Sequence, residues 1–161
     1  MSKDNKENVE KCNKYFGPNL FNATWDLIDK GDKRSEEDEL MMIHTAHASA
    51  YHWRQVGKPI NFARSEWQLS RVYSILKRAQ QAMYHAQNCL NICKECKKND
   101  DEIADWDIPF AFEALARASL VSGANETAEK FLKLAKTEGE KIAGDGDKKY
   151  FFSEIETIKI D

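Results

Sequence analysis

Apolar residues recur along most of the chain at spacings of three and four residues, and charged residues fill the positions between them. This period is that of an amphipathic helix with one buried face. Together with glycine and asparagine at the segment ends, it predicts seven helices joined by short connections. The predicted helices span 20–31, 35–55, 61–76, 79–97, 108–122, 125–143 and 148–159.

The first 14 residues are polar and rich in lysine, and they lack this apolar period. We expect them to be flexible. The remainder predicts one all-α domain within residues 1–161, with segment 148–159 as a terminal cap helix.

The second helix has the clearest end signals. Ser35 can accept a hydrogen bond from the backbone of Asp38, and acidic residues fill the first turn after it. Gly57 and Pro59 are expected to end the helix, because neither residue suits a helix interior.

Composition narrows the classes of partner. Charged residues make up 32% of the 161 residues, yet the net charge is only −3 and the two signs are interleaved. A nucleic-acid-binding stripe would be strongly basic, so we expect no nucleic-acid partner. The longest aliphatic run, Leu40–Ile43, is far too short for a membrane span or a signal-peptide core. We therefore expect a cytoplasmic protein with no membrane partner.

Three of the four cysteines, Cys89, Cys93 and Cys96, have the spacing C-x3-C-x2-C. Iron–sulfur enzymes use this spacing in a loop, whereas here it falls within a predicted helix. Residues at i, i+4 and i+7 share one helix face, where small apolar side chains pack. The pattern therefore predicts packed thiols, and we expect no cofactor and no bound metal.

The third to sixth helices form an internal repeat at a shift of 46 residues, which places Ala82 over Ala128. Leucine and small residues then fall in register at several positions of the two helix pairs. The other aligned pairs are Leu69 with Leu115, Ser70 with Ala116, Ala86 with Leu132, and Cys89 with Ala135.

This pattern resembles the tetratricopeptide repeat, in units 63–96 and 109–142. The resemblance implies antiparallel helix pairs wound into a right-handed superhelix of about seven helices. The chain also resembles a group of bacterial helical proteins that carry a similar His/Trp-rich segment, a resemblance that implies no particular activity.

A candidate binding groove follows from the repeat resemblance. Arg64, Trp67 and Arg71 lie on one stripe of the third helix, at positions that resemble the concave, ligand-facing positions of tetratricopeptide domains. The corresponding residues of the second unit are Phe110, Glu113 and Arg117. Two guanidinium groups beside an indole suit a peptide, a protein segment or a small anionic ligand. The alternative is that the arginines are solvated and Trp67 packs on a neighbouring helix.

The segment His44–Trp53 holds three of the four histidines. On a helical wheel His44, His47 and Tyr51 lie opposite the apolar face. A pair of histidines at i, i+3 can share a metal, but a site needs a third ligand, and no H-E-x-x-H spacing is present. We therefore expect these side chains to line the groove or to play a structural part.

Glu66 lies among the apolar residues of the third helix. A buried carboxylate requires a hydrogen-bonding or cationic partner. Arg54 and the histidines of the preceding helix are candidate partners, and an internal ion pair is the favoured interpretation.

The leading hypothesis is a binding scaffold whose groove is lined by arginine, tryptophan and histidine. A second is a metal-dependent or acid–base enzyme that uses His44, His47 and Glu66 between the N-terminal helices. A third is a structural oligomerisation module, with a homodimer as a possible assembly. An open trough lined by arginines would favour the binding hypothesis. An enclosed pocket of acids and histidines would favour catalysis, and an exposed apolar face would favour oligomerisation.

Overall fold

The computed structural model describes residues 3–160, and within this range it contains seven α-helices and no strand, which confirms the all-α fold class. A single 3-10 turn, Gly31–Lys33, joins the first two helices. None of the described helices combines the length and apolarity that crossing a bilayer requires. The helices are α1 (Lys3–Ile28), α2 (Glu36–Val56), α3 (Pro59–Ile75), α4 (Ala79–Lys98), α5 (Asp107–Val121), α6 (Asn125–Gly139) and α7 (Asp145–Ile155).

The first helix corrects one prediction. It begins at Lys3 and runs through Pro18, so the segment 3–14 is helical, while residues 1 and 2 lie outside the described residues. The buried contacts of this segment are polar, which explains why no apolar period marks it. Asn13 is buried and hydrogen-bonds His52 (Oδ1 to Nδ1, 2.7 Å), and the Gly17 carbonyl accepts a bond from the Ser49 hydroxyl (2.7 Å).

Consecutive helices pack as antiparallel pairs. In the first pair α1 contacts α2 at Thr24–Thr45, at Gly17–Ser49 and at Asn13–His52. The residue numbers decrease along α1 as they increase along α2, so the two helices are antiparallel. Helix α3 pairs with α4 and α5 with α6. Helix α3 also contacts α1 and α5, and α5 contacts α7, so the odd-numbered helices form one continuous layer.

The second and third pairs repeat the same turn. Lys77 and Gly123, which are 46 residues apart in sequence, both have positive φ, at 55° and 76°. Ala82 and Ala128, where the helices of each pair meet, are fully buried. The closing hydrogen bonds match: Arg78 N–H to the Tyr73 carbonyl (2.8 Å), and Ala124 N–H to the Ser119 carbonyl (3.0 Å). The right-handed superhelix and the tetratricopeptide resemblance stay predictions.

Helix α7 packs on the last pair where α6 ends. Phe151 is fully buried, and its ring lies so close to Gly139 that a Cβ at position 139 would come within 2.2 Å of it. Glycine at this position is therefore a steric requirement. The predicted terminal cap, 148–159, corresponds to α7, which begins three residues earlier at Asp145.

The three cysteines of α4, Cys89, Cys93 and Cys96, are buried free thiols, and Cys12 is exposed. The Cys93 thiol lies 3.9 Å from the Asp107 backbone carbonyl. A hydrogen bond with Cys93, together with burial, raises the pKa of Cys89 well above its ordinary value. The thiols therefore pack as predicted, between α4 and its neighbours.

The matched turns generate a paired prediction. Lys77→Gly should raise the free energy of unfolding by about 1 kcal/mol, because a left-handed backbone is strained for residues with a Cβ. Gly123→Lys should lower it by a similar amount. No atom lies within 4 Å of a Cβ built at position 123, so that substitution reports backbone conformation alone. Urea unfolding of both variants measures the two shifts, and a destabilised Lys77→Gly variant would contradict the prediction.

Candidate functional site

A cavity of about 410 Å³ opens on the layer of odd-numbered helices. Six aromatic side chains line it, contributed by α1, α3, α5, α7 and the residue that precedes α5. We call this cavity the aromatic pocket. Its rings are Phe21, Trp25, Trp67, Trp106, Phe110 and Tyr150.

The rings support one another by edge and tilted contacts. Trp67 is central, with its ring centroid 5.5 Å from that of Trp25 and 5.2 Å from that of Phe110. Phe110 in turn contacts Trp106 at 6.3 Å and Tyr150 at 6.0 Å. Such separations are those of favourable aromatic pairs. The wall is therefore preorganised, because five of its six rings are positioned by contacts with one another.

The pocket floor is built from small side chains. Ala63 of α3 and Cys89 and Cys93 of α4 are almost fully buried beneath the rings. Small residues at these positions leave room for the cavity above them. The elevated pKa of Cys89 keeps that thiol protonated at neutral pH.

Three charged side chains also line the pocket. The Arg64 guanidinium donates two hydrogen bonds to Asp107, at 2.9 Å to Oδ1 and 3.0 Å to Oδ2, and it stacks 4.2 Å from the centre of a Trp106 ring. Asp107 is buried and also accepts a bond from the Ala104 backbone N–H (2.8 Å). Asp147, at the start of α7, has no ion-pair partner within residues 3–160.

A buried ionic network lies behind Trp67. The Glu113 carboxylate is inaccessible to solvent and accepts hydrogen bonds from Trp67 Nε1 (3.1 Å), Arg71 Nη2 (3.1 Å) and Arg117 Nε. Arg71 also donates to Glu154 Oε2 at 2.6 Å. The network joins α3, α5 and α7.

The same network contains three residues of the predicted groove, Arg71, Glu113 and Arg117. Arg71 and Arg117 are internal counterions, with side chains only 10% and 15% exposed, and Glu113 is their shared acceptor. Burial acts to raise the pKa of Glu113, but the two guanidinium groups and the hydrogen bonds to Arg117 and Trp67 hold it below its ordinary value. These three residues support the pocket from behind, whereas Arg64, Trp67 and Phe110 line it.

The predicted histidine residues lie on another surface. Leu40, His44, His47 and Tyr51 form one stripe of α2, and none of them lines the aromatic pocket. His47 Nε2 hydrogen-bonds Tyr73 Oη at 2.7 Å, while 63% of Tyr51 is exposed. Partial burial lowers the pKa of His47, and the charges of His85 and His44 add to this effect.

Glu66 has the internal ion pair that its position predicts. Its carboxylate contacts Arg54 Nη2 (3.3 Å), His85 Nδ1 (2.7 Å) and Asn88 Nδ2 (3.4 Å). The histidine partner belongs to the following helix α4, not to the preceding α2. Burial acts to raise the pKa of Glu66, but its contacts with His85, Asn88 and Arg54 lower it overall.

The set proposed for catalysis, His44, His47 and Glu66, does not come together through direct contacts. Glu66 bonds to His85 and Arg54, whereas His47 bonds to Tyr73. Across residues 3–160 no three histidine, cysteine, aspartate or glutamate side chains are placed to hold a metal ion.

Sequence reasoning missed much of the aromatic wall. Three of the four tryptophans, Trp25, Trp67 and Trp106, converge on the pocket, although they come from separate helices or connections. The partial exposure of these tryptophans and the layer that they share are properties of the structure, so no signal in the sequence indicated their convergence. Tyr150 and Asp147 likewise carried no signal, because their placement depends on how α7 docks.

The buried network predicts that Arg71 is a stabilising residue. Arg71→Gln should lower the free energy of unfolding by about 3–5 kcal/mol, because it leaves part of the Glu113 charge uncompensated. Lys141→Gln removes an exposed pair with Glu138 and should change it by less than about 1 kcal/mol. Urea unfolding measures the free energy of unfolding of both variants. Equal losses would contradict the prediction, because they would mean that Arg71 contributes no more than an exposed residue.

Glu113 also predicts a dependence on pH. Its folded-state pKa lies below the unfolded value of about 4.3, so its stabilisation is complete above that pH and is lost as pH falls through the folded-state pKa. The stability difference between the wild type and Glu113→Gln should therefore be largest near neutral pH and shrink in acid. Urea titrations across this range measure it. Glu129→Gln, at an exposed position, is the control variant.

The aromatic pocket is where predicted and unpredicted residues meet. Arg64, Trp67 and Phe110 of the predicted groove line it, together with aromatic side chains from α1 and α7. Comparison of the chain with protein-family models, curated proteins and solved structures gives no match, so the pocket is interpreted from its own chemistry.

Proposed function

We propose that this chain is a binding protein whose ligand inserts an apolar group into the aromatic pocket. The observation that supports this most is a cavity of about 410 Å³ surrounded by six aromatic side chains. Protein interiors are close-packed, so a cavity of this size and lining is typical of a ligand site.

The aromatic wall leaves apolar ring surface exposed that a ligand could cover. Trp25, Trp67 and Trp106 are all partly exposed, and their faces meet solvent in the pocket. Covering apolar surface contributes about 2.5 kcal/mol for each 100 Å² removed from water, before the costs of association. Because the rings are already positioned by mutual contacts, a ligand would not have to order them.

The arginines give this proposal less support than the rings. Each of the three that the sequence singles out is already paired with a carboxylate: Arg64 with Asp107, and Arg71 and Arg117 with Glu113. A small anionic ligand would have to compete with these internal acceptors. A peptide, a protein segment or a small molecule with an apolar group fits the pocket better.

Binding also fits the pocket better than catalysis. A nucleophilic cysteine needs a lowered pKa, whereas the pKa of Cys89 is raised. The acid–base alternative has less support, because Glu66 bonds to His85 and Arg54 and His47 bonds to Tyr73, with no direct contact between Glu66 and His44 or His47.

Oligomerisation is the second candidate, and it rests on the α2 surface. Leu40, Met41 and Tyr51 are 55%, 47% and 63% exposed, and contiguous exposed apolar surface marks an interaction site. A homodimer through this surface is compatible with an open aromatic pocket, because these residues do not line it.

The proposal is tested with three probes that share a benzyl or phenyl group: benzyl alcohol, benzoate and benzyltrimethylammonium. At least one should shift the indole N–H resonances of Trp25, Trp67 and Trp106 in nitrogen–proton NMR spectra. Trp53, packed against Gly17 and Gly57, is the internal control that should not shift.

Trp25→Ala should weaken that binding at least about tenfold, because it removes one ring of the wall. Tyr51→Ala is the matched control on α2 and should leave the affinity unchanged. Thermal unfolding establishes that both variants are folded. If no probe shifts the three resonances, or if Tyr51→Ala abolishes binding, the pocket is not the ligand site.

A further inference from the structure

We infer that the aromatic pocket selects a cation, and that its ligand carries an alkylated ammonium group. This rests on the proposed function, and it specifies the ligand class of the same site. Two features carry it: a wall of aromatic faces, and a charge balance that leaves one carboxylate of the pocket uncompensated.

The charges of the pocket sum to −1. Arg64 and Asp107 neutralise each other through two hydrogen bonds of 2.9 and 3.0 Å. Asp147 then remains, and its exposed carboxylate has neither a hydrogen bond nor an ion pair with the side chains of residues 4–160. The fixed field at the pocket therefore favours a positive ligand.

The network behind the wall does not reverse this sign. Two acids, Glu113 and Glu154, face two guanidinium groups, Arg71 and Arg117, so their formal charges cancel. Burial, followed by the charge of Glu154, raises the pKa of Tyr150, against a smaller opposing effect of Arg71. The network therefore leaves the formal charge of the pocket at −1.

The wall already accepts a cation within the protein itself. The Arg64 guanidinium carbon lies 4.2 Å from the centre of a Trp106 ring, within the range of a cation–π contact. An electron-rich ring face attracts a positive charge most strongly where water is excluded. Arg71 lies 5.8 Å from the centre of the Trp67 ring in the same way, and the remaining ring faces of the pocket offer this attraction to a ligand.

The same geometry favours an alkylated ammonium over a primary one. A primary ammonium carries three N–H donors and is strongly hydrated, so it needs several acceptors. Six of the lining side chains are aromatic and three are small, which leaves few acceptors inside. An ammonium covered by alkyl groups has no such requirement, and its charge can rest against the rings.

The test uses pairs of molecules that have one shape and different charges. Choline and 3,3-dimethyl-1-butanol differ in the charged nitrogen and its neutral carbon equivalent. NMR titration of the pocket indoles should give choline at least about tenfold higher affinity, and ethanolamine should bind more weakly than choline. Benzyltrimethylammonium should likewise bind more tightly than benzyl alcohol, and benzoate should bind weakest of the three.

The exposed carboxylate supplies a matched pair of variants. Asp147→Asn should weaken choline binding severalfold and leave 3,3-dimethyl-1-butanol unchanged. Asp145→Asn, on the same helix but outside the pocket lining, should change neither. A peptide with one trimethyllysine tests whether the same group is accepted from a protein side chain; binding tighter than that of choline would assign the ligand to a peptide.

The two proposals fail in different ways. If the neutral isostere binds as tightly as choline, or benzoate binds more tightly than benzyltrimethylammonium, the cation assignment is wrong while the pocket is still a binding site. If none of these molecules moves the indole resonances of the pocket, both proposals are wrong.

Discussion

The buried carboxylate of Glu113 is the interaction on which the rest of the structure depends. It has no contact with solvent, so its charge is tolerable only because Arg71, Arg117 and the Trp67 indole all donate to it. Those donors come from α3 and α5, and Glu154 extends the network into α7. Three helices of one layer are thereby held at a fixed register.

This network also determines the shape of the aromatic pocket. The indole N–H of Trp67 is held by Glu113, so the ring cannot rotate freely and presents its face to the cavity. Trp25 and Phe110 then pack against that ring at 5.5 and 5.2 Å. The ionic network and the aromatic wall are thus connected through Trp67, which hydrogen-bonds to Glu113 and packs against the neighbouring rings.

Much of the fold follows from local sequence signals. The beginning of the second helix is an example, because Ser35 and Asp38 form the reciprocal cap that their spacing predicts. The small residues Ala82 and Ala128 are fully buried where their helices meet. These features depend on neighbours within a helix or within a pair, and such neighbours can be read from spacing.

The candidate site was less predictable, because it depends on contacts between pairs. Trp67 and Glu113 are 46 residues apart, the shift of the repeat, and hence stand at equivalent positions of adjacent pairs. Helices of one layer bring such positions side by side. Trp67 and Glu113, both predicted to face a groove, therefore hydrogen-bond to each other. The polar packing of α1 around Asn13 and the docking of α7 through Phe151 are likewise tertiary effects.

The position of α7 in the chain has a consequence for biogenesis. Tyr150 and Asp147 form one wall of the pocket, and this helix is held in place by Phe151 against Gly139 and by Glu154 against Arg71. The three helix pairs are synthesised before it and can pack on one another as they leave the ribosome. The pocket is complete only when α7 has followed, so a nascent chain that stops before it would lack Tyr150 and Asp147 and would leave Arg71 and Arg117 with Glu113 as their shared carboxylate.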